Sequence, residues 1–191
     1  NIESFSAEFE IDMIPENDLR ISPLYNPIIQ NSQSQYYFDI IAEEIDLSLI
    51  EGWTGNSGII GFGVSLIYNN KIEITDVENI SQYFSEYTDT TSNQSFELEQ
   101  LWDIDTIDDS FNKIDISLLK DLGDNQGIDQ TTYIIARVNF TYSGDYTSEL
   151  INIGFDQEES QFYTCFNPEC TSYQSLKILN FHNGIIEIIN Q

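Results

Sequence analysis

Apolar and polar residues alternate along most of this chain, and that period of two is its strongest constraint on folding. SFSAEFEIDMI places apolar residues at every second position from Phe5 to Met13, and TTYIIARVNFTYSG is rich in β-branched and aromatic residues. Successive side chains of a β-strand point to opposite faces, so these segments are predicted to be half-buried strands. Further short strands follow at close spacing. The sequence therefore predicts an all-β protein built as two packed antiparallel sheets or a barrel.

One segment, TIDDSFNKIDISLLKDL, leaves two interpretations open. Ile107, Phe111, Ile114 and Leu118 recur near helical spacing, whereas KIDISLL alternates as a strand would. We therefore expect at most one short helix in an otherwise all-β domain.

The segment GIIGFGVSLIYNNKIEITDVENI, residues 58–80, is predicted to form a hairpin of two strands around an Asn-Asn turn. Alternate residues from Ile60 to Leu66 would face one side, and Gly61 and Gly63 would lie on the other. A strip without side chains either admits the close approach of a partner or accommodates a bulge or twist.

The charge of the chain limits its partners. Asp and Glu total 33 against six Lys and Arg, which gives a formal net charge of -27. Such a surface repels phosphate and anionic lipid headgroups, so binding to nucleic acid is excluded. No apolar run of 18 residues is present, so membrane insertion is not expected either. Cations, basic proteins and neutral sugars remain as partners.

Two cysteines flank a Phe-Asn-Pro-Glu turn, in CFNPEC. Asn-Pro favours chain reversal, which would bring Cys165 and Cys170 together as a disulfide. A zinc site is the competing interpretation, but it needs two more ligands and His182 is the only histidine. The disulfide implies an oxidising setting, outside the cell or at its surface.

Three segments resemble the cohesin family in the order in which they occur. They are GIIGFGVSLIYNNKIEITDVENI, YIIARVNFTYSG and FHNGIIEIIN. Cohesins are jelly-roll β-sandwiches best known from cellulosome scaffolds, and the resemblance covers roughly residues 20–191. It implies a cohesin-like jelly-roll sandwich and, from the family's best-known activity, a partner protein of the dockerin type.

Residues 1–19 precede the cohesin-like region and are predicted to form a separate strand extension. The alternating face of this strand could pair with the sheet edge of a neighbouring copy. Head-to-tail pairing of that kind does not close, so it would build a fibre, sheath or surface layer. The residues predicted to fill the neighbour's groove are Phe5, Ala7, Phe9 and Ile11.

Two acidic segments could hold calcium, because this cation prefers several carboxylate, amide and carbonyl oxygens. DLGDNQGID and WDIDTIDD provide these oxygens, although neither matches the EF-hand loop. The alternative is a pair of solvated acidic loops, and no organic cofactor is predicted. The candidate calcium ligands are Asp121, Asp124, Asn125 and Asp129 in the first segment, and Asp103 and Asp105 in the second.

The remaining features point to binding rather than catalysis. No nucleophile-elbow motif accompanies His182, so no catalytic residue is predicted. Trp53 lies in a glycine-containing stretch, EGWTGNSG, where it could stack on a sugar ring or anchor a loop. The expected function is a non-enzymatic structural or interaction protein. A carbohydrate-binding module and an acidic inhibitor of a basic protein are the alternatives.

Overall fold

Fifteen β-strands make up the secondary structure that the computed structural model describes. It describes residues 18–29, 35–43, 59–79, 87–89, 94–96, 101–119, 132–145, 147–165, 173–176, 178 and 180–189. No helix occurs in these ranges, and therefore none that could cross a membrane. The strands are β1 (Asp18–Ser22), β2 (Tyr25–Ile29), β3 (Tyr36–Glu43), β4 (Ile59–Asn69), β5 (Ile72–Glu78), β6 (Tyr87–Asp89), β7 (Gln94–Phe96), β8 (Leu101–Thr106), β9 (Phe111–Leu119), β10 (Thr132–Tyr142), β11 (Glu149–Phe155), β12 (Gln161–Cys165), β13 (Tyr173–Leu176), β14 (Asn180–His182) and β15 (Gly184–Ile189).

The strands form two packed sheets, which confirms the predicted all-β sandwich. The smaller sheet has the order β14-β1-β3-β10-β5. In the larger sheet β4 is central: β11 and β12 pair along one of its edges, and β9 followed by β8 lies on the other. Strand β15 and then β2 extend the sheet beyond β11, while β13 pairs with β12, and β6 and β7 form a separate two-stranded sheet. Two pairs are parallel, β1 with β14 and β15 with β2, so both sheets are mixed rather than purely antiparallel.

The core lies between the inner faces of the two sheets. Most long strands contribute every second residue, but register shifts alter this pattern in β10, where Ile135 and Ala136 are both buried, and in β5. In β4 the inward residues are Phe62, Val64 and Leu66, which are all buried. The largest fully buried side chains are Phe62, Phe140, Phe162, Leu19, Ile21, Ile28, Ile40, Leu66 and Ile72.

The segment with two interpretations is a strand, a turn and a second strand. Strands β8 and β9 pair in antiparallel register, from Leu101 opposite Ser117 to Thr106 opposite Asn112. The Asp108 carboxylate accepts hydrogen bonds from the backbone N–H groups of Ser110 and Phe111, which stabilises the turn. The helical interpretation is therefore wrong for the described part of this segment, because the alternating positions Ile114 and Ile116 are buried in the core.

The predicted hairpin over residues 58–80 is also wrong, because β4 and β5 lie in different sheets. The Asn70 N–H donates to the carbonyl of Ser110 beside the larger sheet, and the Ser143 N–H donates to the carbonyl of Lys71 beside the smaller one. The turn thus carries the chain across the core. Both strands bury alternate residues in the same core from opposite sides, a pattern that looks identical to a hairpin in the sequence.

Beside this turn, one ionic cluster joins the two sheets. Lys71 Nζ lies 2.7 Å from Glu149 Oε2 and 2.9 Å from Oε1, and the Tyr142 hydroxyl also donates to Glu149. Tyr142 ends β10 in the smaller sheet, whereas Glu149 begins β11 in the larger. The hydrogen bonds from Lys71 and then from Tyr142 hold the pKa of Glu149 below its usual value.

We expect Glu149→Gln to lower the free energy of unfolding at pH 7 by about 1 kcal/mol, because the charge-assisted bonds are lost from a partly exposed site. Because the pKa of Glu149 is lower in the folded state, its carboxylate contributes fully to the free energy of unfolding above the unfolded-state pKa of about 4.3. This contribution is lost as the pH falls further, through the folded-state pKa. Urea denaturation at pH 7 and pH 3 measures both effects. Glu73→Gln, an exposed carboxylate on β5, is the matched control. An equal loss in the two variants, or one that persists at pH 3, would contradict this assignment.

Candidate protein-interaction face

The outer face of the smaller sheet is covered by ion pairs. Arg137 binds Asp39 through two hydrogen bonds of 2.8 and 3.0 Å, and its guanidinium lies 4.0 Å from the centre of the Tyr37 ring. The hydrogen bonds that Arg137 donates to Asp39 raise the pKa of Arg137. Nearby, Arg20 pairs with Glu43 at 2.5 Å. Arg137 is bidentate and stacked, so its guanidinium is engaged within the sheet, while Tyr37 and Ile134 remain exposed on this face.

The outer face of the larger sheet carries a group of exposed apolar side chains on neighbouring strands. Five outward residues on adjacent strands form a group that we call the apolar patch. They are Tyr25 and Pro27 on β2, Ile185 and Glu187 on β15, and Leu150 on β11. Leu150 is 63% exposed, Tyr25 51% and Ile185 38%. Glu187 is aligned with Leu150 on one side and Pro27 on the other. Contiguous apolar surface rimmed by polar groups is typical of a protein interaction site.

The glycine strip of β4 lies near the centre of the same face. A Cβ atom on Gly63 would lie 3.8 Å from the Tyr163 hydroxyl, so this β12 side chain covers the strip. The register between β12 and β4 also shifts where Tyr163 and Thr164 pair with Gly61 and Ile59. Of the two interpretations of the glycines, the structure therefore supports the accommodation of a bulge and a neighbouring side chain from the same chain.

A short flap, residues 156–160, separates β11 from β12 and folds onto β4. The Ser65 N–H donates to Ser160 Oγ at 3.1 Å, and the Asp156 N–H donates to the Ser65 carbonyl at 2.8 Å. These bonds replace the strand pairing that is interrupted between β11 and β12. Ser65 is only 1% exposed although it lies on the outer face, because the flap covers it.

An ion pair fastens the flap to β9 across β4. Lys113 Nζ lies 2.7 Å from Glu159 in the flap and 3.3 Å from Asp115 on its own strand. The hydrogen bond to Glu159 is the largest cause of a raised pKa for Lys113. The flap therefore divides the face and leaves the apolar patch exposed on β11, β15 and β2.

Of the predicted calcium ligands, only Asp103 and Asp105 lie within the described residues. Both are exposed on β8, where Asp103 is aligned with Asp115 and Asp105 with Lys113. Across the described ranges, no three His, Cys, Asp or Glu side chains are placed to hold a metal ion. The other four predicted ligands, Asp121, Asp124, Asn125 and Asp129, lie outside those ranges.

The remaining predicted sites lie mostly outside the described residues. Cys165 ends β12, but Cys170 is outside, so the disulfide stays a prediction. His182 lies on β14 with Nε2 3.1 Å from Asp18, at the exposed margin of the smaller sheet. Asp18 begins β1, two residues before the predicted boundary of the cohesin-like region. The predicted sugar-stacking and strand-exchange residues also lie outside the described ranges: Trp53, Phe5, Ala7, Phe9 and Ile11.

Sequence reasoning missed the apolar patch, although a signal for it exists. In GIIEII the inward positions Ile186 and Ile188 are buried, yet the outward residue before them, Ile185, is apolar as well. In ELINIGF, Leu150 likewise interrupts the expected polar face. Both strands therefore carry apolar residues on their two faces. This pattern would have indicated the apolar patch.

The two packed sheets define a β-sandwich domain, whose larger sheet carries a group of exposed apolar side chains on neighbouring strands. The sequence matches no protein-family model and no curated protein. Among solved structures, the fold is similar to the seventh ScaB type I cohesin of Pseudobacteroides cellulosolvens, with a TM-score of 0.56 at 12% identity, covering 92% of this chain and 94% of that one. The chain therefore has the cohesin fold, as the sequence resemblance implied.

Two further similar structures contain a cohesin with its partner. One is a type I cohesin–dockerin complex of Clostridium thermocellum, with a TM-score of 0.56 at 16% identity and full coverage of both chains. The other is the third ScaC cohesin of Acetivibrio cellulolyticus in complex with the ScaB dockerin, with a TM-score of 0.54 at 15% identity. It covers 90% of this chain and 98% of that one. At these identities the likeness concerns the fold.

We expect Ser160→Ala to lower the free energy of unfolding by about 1–3 kcal/mol, because it leaves the buried Ser65 N–H without its acceptor. Amide hydrogen exchange at Ser65 and along the flap should accelerate together. Ser117→Ala, on the exposed side of β9, is the matched control and should change neither quantity. Unchanged exchange at Ser65 in Ser160→Ala would show that the flap is held by other contacts.

Proposed function

We propose that this protein is a non-catalytic interaction module that binds another protein through the apolar patch on its larger sheet. The observation that carries the proposal is the contrast between the two outer faces. On the smaller sheet Tyr37 packs under Arg137 and Ile134 is the other exposed large apolar residue, whereas Tyr25, Leu150 and Ile185 are exposed together on adjacent strands of the larger sheet. Burying such side chains would contribute roughly 1.5–3 kcal/mol each to association.

The similar structures support a protein as the partner. Two of those described above are cohesins in complexes with dockerins. Because function depends on sites placed on a fold rather than on the fold itself, the partner of this chain has to be recognised by its own surface. A dockerin-like protein is one candidate.

The proposal also includes a place outside the cell or at its surface, and no catalysis. The location rests on the predicted disulfide between Cys165 and Cys170, which requires an oxidising environment. The absence of catalysis rests on His182, the single histidine of the chain, which lies at an exposed strand edge beside Asp18.

Assembly by strand exchange is the second candidate function, and the described sheet edges give it a specific form. Strands β5 and β8 are edge strands with outward carboxylates, including Glu73 and Asp103. The extension is itself acidic, with Glu3, Glu8, Glu10 and Asp12. Pairing two acidic strands would require a cation between them, so exchange into these edges would depend on calcium.

The third long edge, β2, is uncharged but carries Pro27. The Ile185 N–H donates to the Leu24 carbonyl, so alternate residues of β2 bond to β15. Pro27 falls between them, on the open side of the edge, where it provides no N–H for an incoming strand. This edge is protected against augmentation, so docking on the face is the better-supported mode of binding.

A photo-crosslinking residue in place of Leu150 tests the face in the native host. We expect it to capture one partner protein, and the same residue in place of Ile134, exposed on the smaller sheet, to capture none. Adding Tyr25→Ser to the Leu150 derivative should abolish capture, because it removes apolar contact from the same patch. Equal capture from both faces, or none from Leu150, would contradict the proposal.

Removal of residues 1–17 tests strand exchange. Without calcium we expect the intact protein to sediment as a monomer, because copies with a charge of -27 repel one another. Sedimentation of intact and truncated chains, with calcium and with a chelator, measures the effect. Oligomers that form only in calcium and only with residues 1–17 present would establish strand exchange. Circular dichroism checks that the truncated chain remains folded.

A further inference from the structure

We infer that Glu187 is the recognition point of the apolar patch, and that it selects a partner whose apolar surface carries a lysine or arginine. This inference rests on the proposed function, because it names the chemistry of the protein that would dock there. It also predicts that the partner is a different protein rather than a second copy of this chain.

The position of Glu187 carries the inference. Its outward neighbours across the sheet are Leu150 on β11 and Pro27 on β2, and Ile185 precedes it by two residues on the same face of β15. Glu187 is half-buried among these groups, and it is the only charged member of the patch. No ion pair engages Glu187 within the part of the chain that the structure describes.

The cations of the fold are already committed elsewhere. Each Lys and Arg in the described ranges contacts at least one carboxylate: Arg20 with Glu43, Lys71 with Glu149, Lys113 with Asp115 and Glu159, and Arg137 with Asp39. A positive charge opposite Glu187 would therefore come from the partner rather than from these side chains.

Docking would make that charge necessary. A partner covering Leu150 and Pro27 also removes water from Glu187, and an unpaired carboxylate is costly to bury. A lysine or arginine against Glu187 offsets this cost, whereas an acidic or neutral partner leaves it uncompensated. A second copy of this chain is repelled by the same charge of -27, so the patch disfavours self-association and favours a basic partner.

Three synthetic amphipathic peptides with identical leucines test this selection. Their polar positions are all lysine, all glutamine or all glutamate, and each is titrated into the isotope-labelled full chain while backbone amide shifts are followed. We expect the lysine peptide to shift amides of β2, β11 and β15, the glutamine peptide to do so more weakly, and the glutamate peptide not at all.

Matched variants separate recognition by Glu187 from general attraction. Glu187→Gln should weaken the lysine peptide about tenfold, since a partly desolvated charge pair is lost. Glu73→Gln removes the same charge from the other sheet and should change its affinity less than twofold, while Leu150→Ser should weaken the lysine and glutamine peptides alike.

The outcomes distinguish the two claims. Equal weakening by Glu187→Gln and Glu73→Gln, or equal binding of the lysine and glutamine peptides, would overturn the role of Glu187. The proposed face would survive either result if Leu150→Ser still weakened binding. Shifts confined to β5 or β8, with the patch unaffected, would overturn the inference and count against the proposed face as well.

Discussion

The packing of two alternating apolar faces against each other is the constraint on which the rest of this structure depends. Phe62 and Phe162 from the larger sheet and Phe140 from the smaller are completely buried in one shared core. Successive side chains of a strand point to opposite faces. When one residue is buried in this core, the next residue therefore lies on the outer face. The outward residues of the described strands, including Leu150 and Ile185, follow from that assignment.

The two outer faces differ because their side chains interact differently, although the backbone beneath them is alike. On the smaller sheet Asp39, Arg137 and Tyr37 satisfy one another in an ordered group. On the larger sheet Leu150 is aligned with Glu187, and Ile185 with Asn152 and Tyr25, and both apolar side chains are exposed. This asymmetry leaves one face available to a partner, and it lies on strands whose positions the core already fixes.

The strong negative charge is compatible with this fold because the few cations are placed where they connect elements. Lys71 joins the turn after β4 to β11, and Lys113 joins β9 to the flap. Exposed pairs of this kind contribute little individually, but here they fix loops that interrupt strand pairing. Among the described residues, further carboxylates such as Glu73 and Asp105 face solvent, and the negative charge of the chain would attract a basic partner and repel another copy.

The sequence by itself determined the all-β class, because alternation depends only on burying one face of each strand, and the resemblance to cohesins implied the sandwich rather than a barrel. The inward positions of β4 follow directly from the alternation, whereas in β10 an irregularity between Ile134 and Ala136 interrupts it. The sequence could not determine which strands pair: β4 and β5 alternate like a hairpin but enter the core from opposite sheets. Only the tertiary structure brought Tyr25, Leu150 and Glu187 together, because residues distant in the chain become neighbours through sheet register, which no local pattern encodes.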